Sequence, residues 1–293
     1  MKENLTPDIL LLAGGDLVRD EGVYKHLNQI NGKPIISRVL SALDASETSG
    51  QVFVAGPEEV LGKQTDLMEK SCVLVGEGGS FMGNLKLALD RHEKTGSSDE
   101  ILVVSSDLPF LRPETIDWIS SNFPETDIGV PIVGKSNADL LMPHRKYMYW
   151  PMKDESFVFG NVYSAKSSSL RSLSVPVVDE YRASQASSML VTGIQRMLYF
   201  AKLGNAPLFY SIAANYVSKT IQMIEGVKEA VPLSNLRTKN DYEKVLSRTL
   251  GLDVGLFLSP AIDLILDVDA PGDVDAFNSK FAIYSDIVGG VGW

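Results

Sequence analysis

The chain has 293 residues, 44% hydrophobic and 22% charged, enough for one large domain with a sizeable core. Its 27 basic and 37 acidic side chains give a formal charge of −10. That excludes a large sequence-independent nucleic-acid footprint, but not one nucleotide held by a few local cations and a divalent metal. A single cysteine and three histidines exclude an internal disulfide and leave too few ligands for a zinc cluster. No run of ~20 uncharged apolar residues is present, so no transmembrane segment is expected. The polar start, residues 1–8, does not read as a secretory leader, and the expected compartment is the cytoplasm.

Residues 9–13 read as a first buried strand, ending in Gly14-Gly15. Two glycines after a strand let the chain turn sharply and bring backbone N–H groups close to an anion. Arg19 and Lys25 follow, a planar fork and a point charge, the cations a triphosphate needs. The bland alternative is a plain turn with two surface cations. The glycine fingerprint of dinucleotide-binding domains and the Gly-Lys-Ser/Thr of a phosphate loop are both absent. His26 is expected to face solvent.

A turn at Asn31-Gly32-Lys33 leads to a helix over 34–43, with Pro34 in its first turn. Strands are expected at 52–55, 73–75, 101–105 and 128–131, and helices at 81–92 and 113–122. Cys72 borders an apolar run and reads as core, and His92 closes a helix where its ring would meet the dipole. Strand–helix alternation implies parallel pairing with helices on both faces of the sheet, and ligands at the carboxyl ends of the strands. The strand at 101–105 runs into Asp107-Leu108-Pro109-Phe110, which places a carboxylate at that edge. A carboxylate there suits a hard cation such as Mg²⁺; the alternative is a cap for the helix at Pro113.

From Met142 the pattern changes. Residues 142–150 and 157–163 read as strands, and His144 lies among cations that could face an anionic acceptor. Residues 187–250 read as mostly helical, an insertion or subdomain spanning about 185–250 within one domain of 1–293. Its apolar stretch 189–217 is expected to pack on the domain or on a second subunit; lipid contact is the sharper alternative, which the acidic charge disfavours. Residues 264–268 read as a short strand. Its alternation would put Asp267 and Asp269 on one side, either of them a second metal ligand, with Asp273 complementing the next helix dipole.

These segments together resemble the MobA-like NTP transferases, nucleotidyltransferases of the GT-A-like fold. The opening of that family matches Leu12, Ala13, Gly14, Gly15, Arg19, Lys25, Gly32 and Pro34. Its Asp-x-Pro-Phe matches Asp107, Pro109 and Phe110, and its late Asp-x-Asp-x-Pro-x-Asp matches Asp267, Asp269, Pro271 and Asp273. Gly78-Gly79-Ser80 with Asn84 resembles the segment that contacts base and ribose, and Gly160-Asn161 resembles a strand near the acceptor. The resemblance implies a three-layer α/β/α sandwich on a mostly parallel, Rossmann-like sheet. It implies transfer of a nucleoside monophosphate from a nucleoside triphosphate to a phosphorylated small molecule, with pyrophosphate released. Ala13, Gly14, Gly15, Gly79 and Asn84 would bind nucleotide; Arg19, Lys25 and Asp107 would serve catalysis; Asp107 and Asp269 would hold Mg²⁺. Leu17 and Asp20-Glu21 depart from the pattern, since two carboxylates beside a triphosphate repel it unless they face solvent or bind metal. The competing readings are a nucleotide-binding protein without turnover and a glycosyltransferase that uses a nucleotide-sugar.

Overall fold

The computed structural model describes residues 6–13, 17–18, 23–65, 68–143, 145, 147, 149–150, 152–173, 238–269 and 271–290. The first strand, β1 (Asp8–Leu12), is buried at every position. Two short hairpins follow: β2 (Leu17–Val18) with β3 (Val23–Tyr24), and β4 (Gln29–Ile30) with β5 (Lys33–Pro34). A 3₁₀ turn at Lys25–Leu27 lies between them. The helix α1 (Ile35–Ala45) starts one residue after Pro34, which sits in the capping position. Then come β6 (Val52–Ala55), α2 (Glu58–Thr65), β7 (Cys72–Gly76), α3 (Phe81–Thr95), β8 (Glu100–Ser105) and α4 (Pro113–Ser121). The second half adds β9 (Ile128–Gly134), α5 (Lys135–Leu141), β10 (Phe157–Phe159), β11 (Val162–Lys166) and α6 (Ser167–Arg171). After residue 237 follow α7 (Lys239–Leu250), β12 (Val254–Leu258), α8 (Pro271–Ser279) and α9 (Phe281–Gly289).

One sheet runs β7-β6-β1-β8-β11-β9-β12, with β10 continuing along β9 beyond the end of β11. β1 pairs in parallel with β6 and β8, and β9 pairs in parallel with β12; β11 is antiparallel to both β8 and β9. Alternation along the strands sorts the core into two layers. Ile9, Leu11, Val52, Val54, Leu102 and Val104 pack with α1 and α4 on one face. Leu10, Leu12, Phe53, Ile101 and Val103 pack with α3 and Tyr242 of α7 on the other. The fold is the α/β/α sandwich expected from strand–helix alternation.

Three local expectations need correction. Among the described residues of 142–150 none belongs to a named strand: Lys135–Leu141 is helical, Met142 caps it, and Trp150 forms an isolated bridge to Phe157. Residues 157–163 are two strands, broken at Gly160-Asn161. There the Gly160 backbone lies so close to Leu264 and Pro131 that an added Cβ would sit 3.1 Å from each. Residues 264–268 form no strand: Ile262–Ile265 is a 3₁₀ turn. The buried Asp263 carboxylate locks that turn, accepting from the Arg112 N–H at 3.0 Å and the Thr115 hydroxyl at 2.5 Å. The strand that joins the sheet is β12, six to ten residues upstream of residue 264. Its outer edge is occupied by α7 side chains, with Val254 N–H on Ser247 Oγ, Leu256 N–H on Glu243 Oε1, and Lys239 Nζ on the Leu256 carbonyl.

Of the expected insertion, residues 185–237 and the apolar stretch 189–217 lie outside the described residues, while 238–250 pack on the sheet as α7. Among the described residues no helix is long and apolar enough to cross a membrane.

His92 lies in the last turn of α3, as expected, and also meets a buried carboxylate. Its Nε2 lies 3.1 Å from Asp8 Oδ2, and Asp8 also accepts the Gln51 and Ser97 N–H groups, each at 2.9 Å. Burial pushes the Asp8 carboxyl up, but these hydrogen bonds outweigh it and hold the group below its ordinary 3.8. A depressed folded-state pKa contributes stability that is present above the unfolded value and lost as pH falls through the folded one. Asp8→Asn is therefore expected to lower the unfolding free energy at neutral pH by ~1–3 kcal/mol. Urea unfolding at a series of pH values checks this: the gap to wild type should narrow below about pH 4, and a gap independent of pH would refute it.

Candidate active site

β1 and β8 lie side by side and leave the sheet together, with Leu12 opposite Ser105. Ala13 is buried at the exit of β1, its N–H on the Ala55 carbonyl at 2.7 Å. Gly14, Gly15 and Arg19, like Asp20, Glu21 and His144, lie outside the described residues. Lys25 is described, on the 3₁₀ turn at Lys25–Leu27, and reaches back to the exit of β8. Its Nζ donates to Asp107 Oδ2 at 2.6 Å and lies 3.4 Å from Asp269 Oδ1. Asp107 does not cap α4; its other oxygen accepts the Ser105 hydroxyl at 2.6 Å.

The backbone joins the two acidic segments directly. Val268 N–H donates to the Asp107 carbonyl at 3.1 Å, and this contact, rather than strand alternation, brings Asp267 and Asp269 to Asp107. One carboxylate oxygen from each of Asp107, Asp267 and Asp269 lies within 4.8 Å of the others. Crowded carboxylates resist ionising together. Burial first, then Asp269 and Asp107, push the Asp267 carboxyl up to about 7, with Arg145 and Lys25 opposing. Burial disfavours the charged Lys25 ammonium, but Asp107 and Asp269 more than offset this and raise its pKa above the ordinary 10.5. The spot thus attracts positive charge, and the ammonium stands where a cation would. Three hard oxygen donors around it suit Mg²⁺ or Mn²⁺ rather than a soft metal.

Asp267 is held by two residues that short-range sequence patterns do not reveal. Arg145 Nη2 donates to its carbonyl at 2.7 Å and lies 3.4 Å from Oδ1, and Asn161 Nδ2 donates to Oδ2 at 3.1 Å. Arg145 thus turns inward rather than towards an acceptor. They are separated from Asp267 by 122 and 106 positions, so only the fold unites them. His26 is buried rather than solvent-facing, stacked on Tyr24 with ring centroids 5.4 Å apart. Burial pushes it down to about 4 against a weaker pull from Asp107, so the ring is neutral at physiological pH.

The expected base-binding segment forms a tight loop between β7 and α3. Gly79 has φ +73°, the left-handed region that suits glycine. Gly78 and Gly83 touch backbone to backbone: an added Cβ on Gly78 would fall 2.3 Å from the Gly83 carbonyl carbon. Asn84 is fully buried, and its Oδ1 accepts the Gly78 N–H at 2.6 Å; its Nδ2 has no hydrogen-bond partner among the described residues. Asn84 therefore shapes the loop from beneath. Gly78→Ala should force these backbones apart and cost ~1–3 kcal/mol of stability, as overpacking does. A chemical-denaturation midpoint equal to wild type would show that the loop relaxes freely.

A cation-attracting carboxylate cluster at the carboxyl edge of this sheet fits a nucleotidyltransferase of the mostly parallel α/β class. Residues 9–153 match the MobA-like NTP transferase domain. A curated relative, the probable molybdenum cofactor guanylyltransferase of Thermococcus sibiricus, is 28% identical over 139 residues, 47% of this chain and 67% of the relative. Among solved structures, a hypothetical transferase from Thermus thermophilus superposes with a TM-score of 0.68 at 21% identity, covering 92% of this chain and 100% of that one. The 4-diphosphocytidyl-2C-methyl-D-erythritol synthase of Anaerococcus prevotii gives 0.53 at 8% identity, covering 96% and 100% respectively; both share the fold.

Proposed function

We propose that the chain transfers a nucleoside monophosphate from a nucleoside triphosphate to a phosphorylated small-molecule acceptor and releases pyrophosphate, with Mg²⁺ held by Asp107 together with Asp269 and Asp267. The observation that carries this reading is the meeting of Asp107, Asp267 and Asp269 around the Lys25 ammonium at the exit of β8. Bound Mg²⁺ would supply neutralisation of the polyphosphate charge and help align the reacting groups.

The residues of the chain divide the remaining work. Gly14 and Gly15, following Ala13, offer backbone N–H groups to the β- and γ-phosphates, with Arg19 as a fork. Lys25, once displaced from Asp107, meets the charge that develops on the α-phosphate. An acceptor phosphate oxygen attacks the α-phosphorus while the bond to the α–β bridging oxygen breaks, and the electron pair leaves with pyrophosphate. An acceptor that is already an anion needs no proton removed, so positioning and electrostatics suffice. The loop at Gly79 faces base and ribose, with Asn84 fixing its shape through Gly78.

A thermal-shift screen of the four nucleoside triphosphates with and without Mg²⁺ tests the binding half, because a ligand of the native state raises apparent stability by mass action. A metal-dependent rise with one nucleotide is expected. Pyrophosphate release with phosphorylated acceptors tests the transfer half. Absence of both signals across all four nucleotides would overturn the proposal.

A further inference from the structure

The segment bearing Asp267 and Asp269 has no strand register to aim its side chains, since residues 266–269 belong to no helix or strand. The bond from Val268 N–H to the Asp107 carbonyl fixes its backbone but leaves the Asp267 side chain free to rotate. Two carboxylates stand beside it, and repulsion alone would swing it away from them. Instead a donor sits on each of its oxygens: Arg145 Nη2 at 3.4 Å from Oδ1 and Asn161 Nδ2 at 3.1 Å from Oδ2. A carboxylate oxygen accepts along two lone-pair directions, so each keeps one for the cluster.

Arg145 is itself held from several sides. Its guanidinium lies over the Phe277 ring at 4.9 Å and the Tyr147 ring at 5.5 Å. Its Nη1 is 3.7 Å from Asp273 Oδ1, and Asp273 Oδ2 accepts the Asp269 N–H at 2.9 Å. One planar fork therefore touches the Asp267 carbonyl and carboxylate and, through Asp273, the backbone of Asp269. A lysine would supply the charge but neither the stacked plane nor the simultaneous bonds.

We infer that Arg145 and Asn161 are a positioning pair that aims Asp267 into the acidic cluster as a metal ligand. The inference rests on the reading of that cluster as a metal site. Groups that orient a ligand without touching the ion govern affinity strongly. A purely structural Arg145 would instead tie α8 to the domain through Phe277 and Asp273, and its loss would lower melting temperature without changing metal affinity.

The two are separated by titrating the full chain with Mn²⁺ alone, following free Mn²⁺ by electron paramagnetic resonance, with melting temperatures measured in parallel. The variants are Arg145→Met, which keeps apolar bulk, Arg145→Lys, Asn161→Ala and, as a benchmark, Asp107→Asn. Arg145→Met and Asn161→Ala are expected to weaken Mn²⁺ binding ~10- to 100-fold, with Arg145→Lys between them and wild type. If both stay within about twofold of wild type while Asp107→Asn loses binding, the positioning role is overturned and the metal site stands. Wild-type affinity in Asp107→Asn would overturn the metal site, and the positioning role with it. Should Arg145→Met fail to fold, Asn161→Ala, which removes one hydrogen bond, decides by the same threshold.

Discussion

Asp107→Asn is expected to reduce metal-dependent pyrophosphate release by about a thousandfold or more while leaving the fold intact. The size follows from the role: a divalent cation on a transferring phosphoryl group is worth several kcal/mol of charge stabilisation, and each ~1.4 kcal/mol is a factor of ten in rate. The fold should survive because Asp107 is local in its attachments. An amide at the same place can still accept the Ser105 hydroxyl, and the backbone bond from Val268 to the Asp107 carbonyl does not use the side chain. The ion pair with Lys25 is mostly covered, but Lys25 keeps Asp269 at 3.4 Å, so the ammonium is not left without a carboxylate when Asp107 loses its charge. Rates near wild type, measured with saturating nucleotide and Mg²⁺ in a variant of normal melting temperature, would remove Asp107 from the mechanism.

Lys25→Met is expected to have opposite effects on two measurements. Turnover should fall ~10²-fold, since the charge that meets the developing negative charge is gone. Binding of Mn²⁺ alone should tighten, because the ammonium now seated 2.6 Å from Asp107 and 3.4 Å from Asp269 competes for the place a cation would take. The gain should be about fivefold, what ~1 kcal/mol of a partly screened pair amounts to. A lysine that only stabilised the fold would lower the melting temperature without tightening metal binding. Equal or weaker Mn²⁺ affinity in Lys25→Met would show that Lys25 does not contest the site.

How much of this was legible without coordinates depends on the range of the interaction. The strands at β1, β6, β7, β8 and β9 and the helices α1, α3 and α4 were readable because a buried strand and an amphipathic helix write their burial into neighbouring positions. Asp107 was readable for the same reason: an apolar strand that ends on a carboxylate announces where its carboxyl edge lies. The misreadings share one cause. Residues 142–150 and 264–268 carry apolar residues at strand-like spacing, but the backbone at 262–265 is decided by the Asp263 carboxylate bonding to Arg112 and Thr115, about 150 positions away. His26 follows a lysine and looks like surface, yet the fold buries it against Tyr24.

The sequence by itself determined the α/β alternation and the aspartate at the end of an apolar strand, because those depend on local periodicity and chemistry. Only the tertiary structure decided that Asp267 stands with Asp107 and Asp269, that Lys25 sits between two of these carboxylates, and that Arg145 and Asn161 grip Asp267. Contacts between segments more than a hundred residues apart are set by which strands lie side by side, and no local pattern in the chain encodes that neighbourhood.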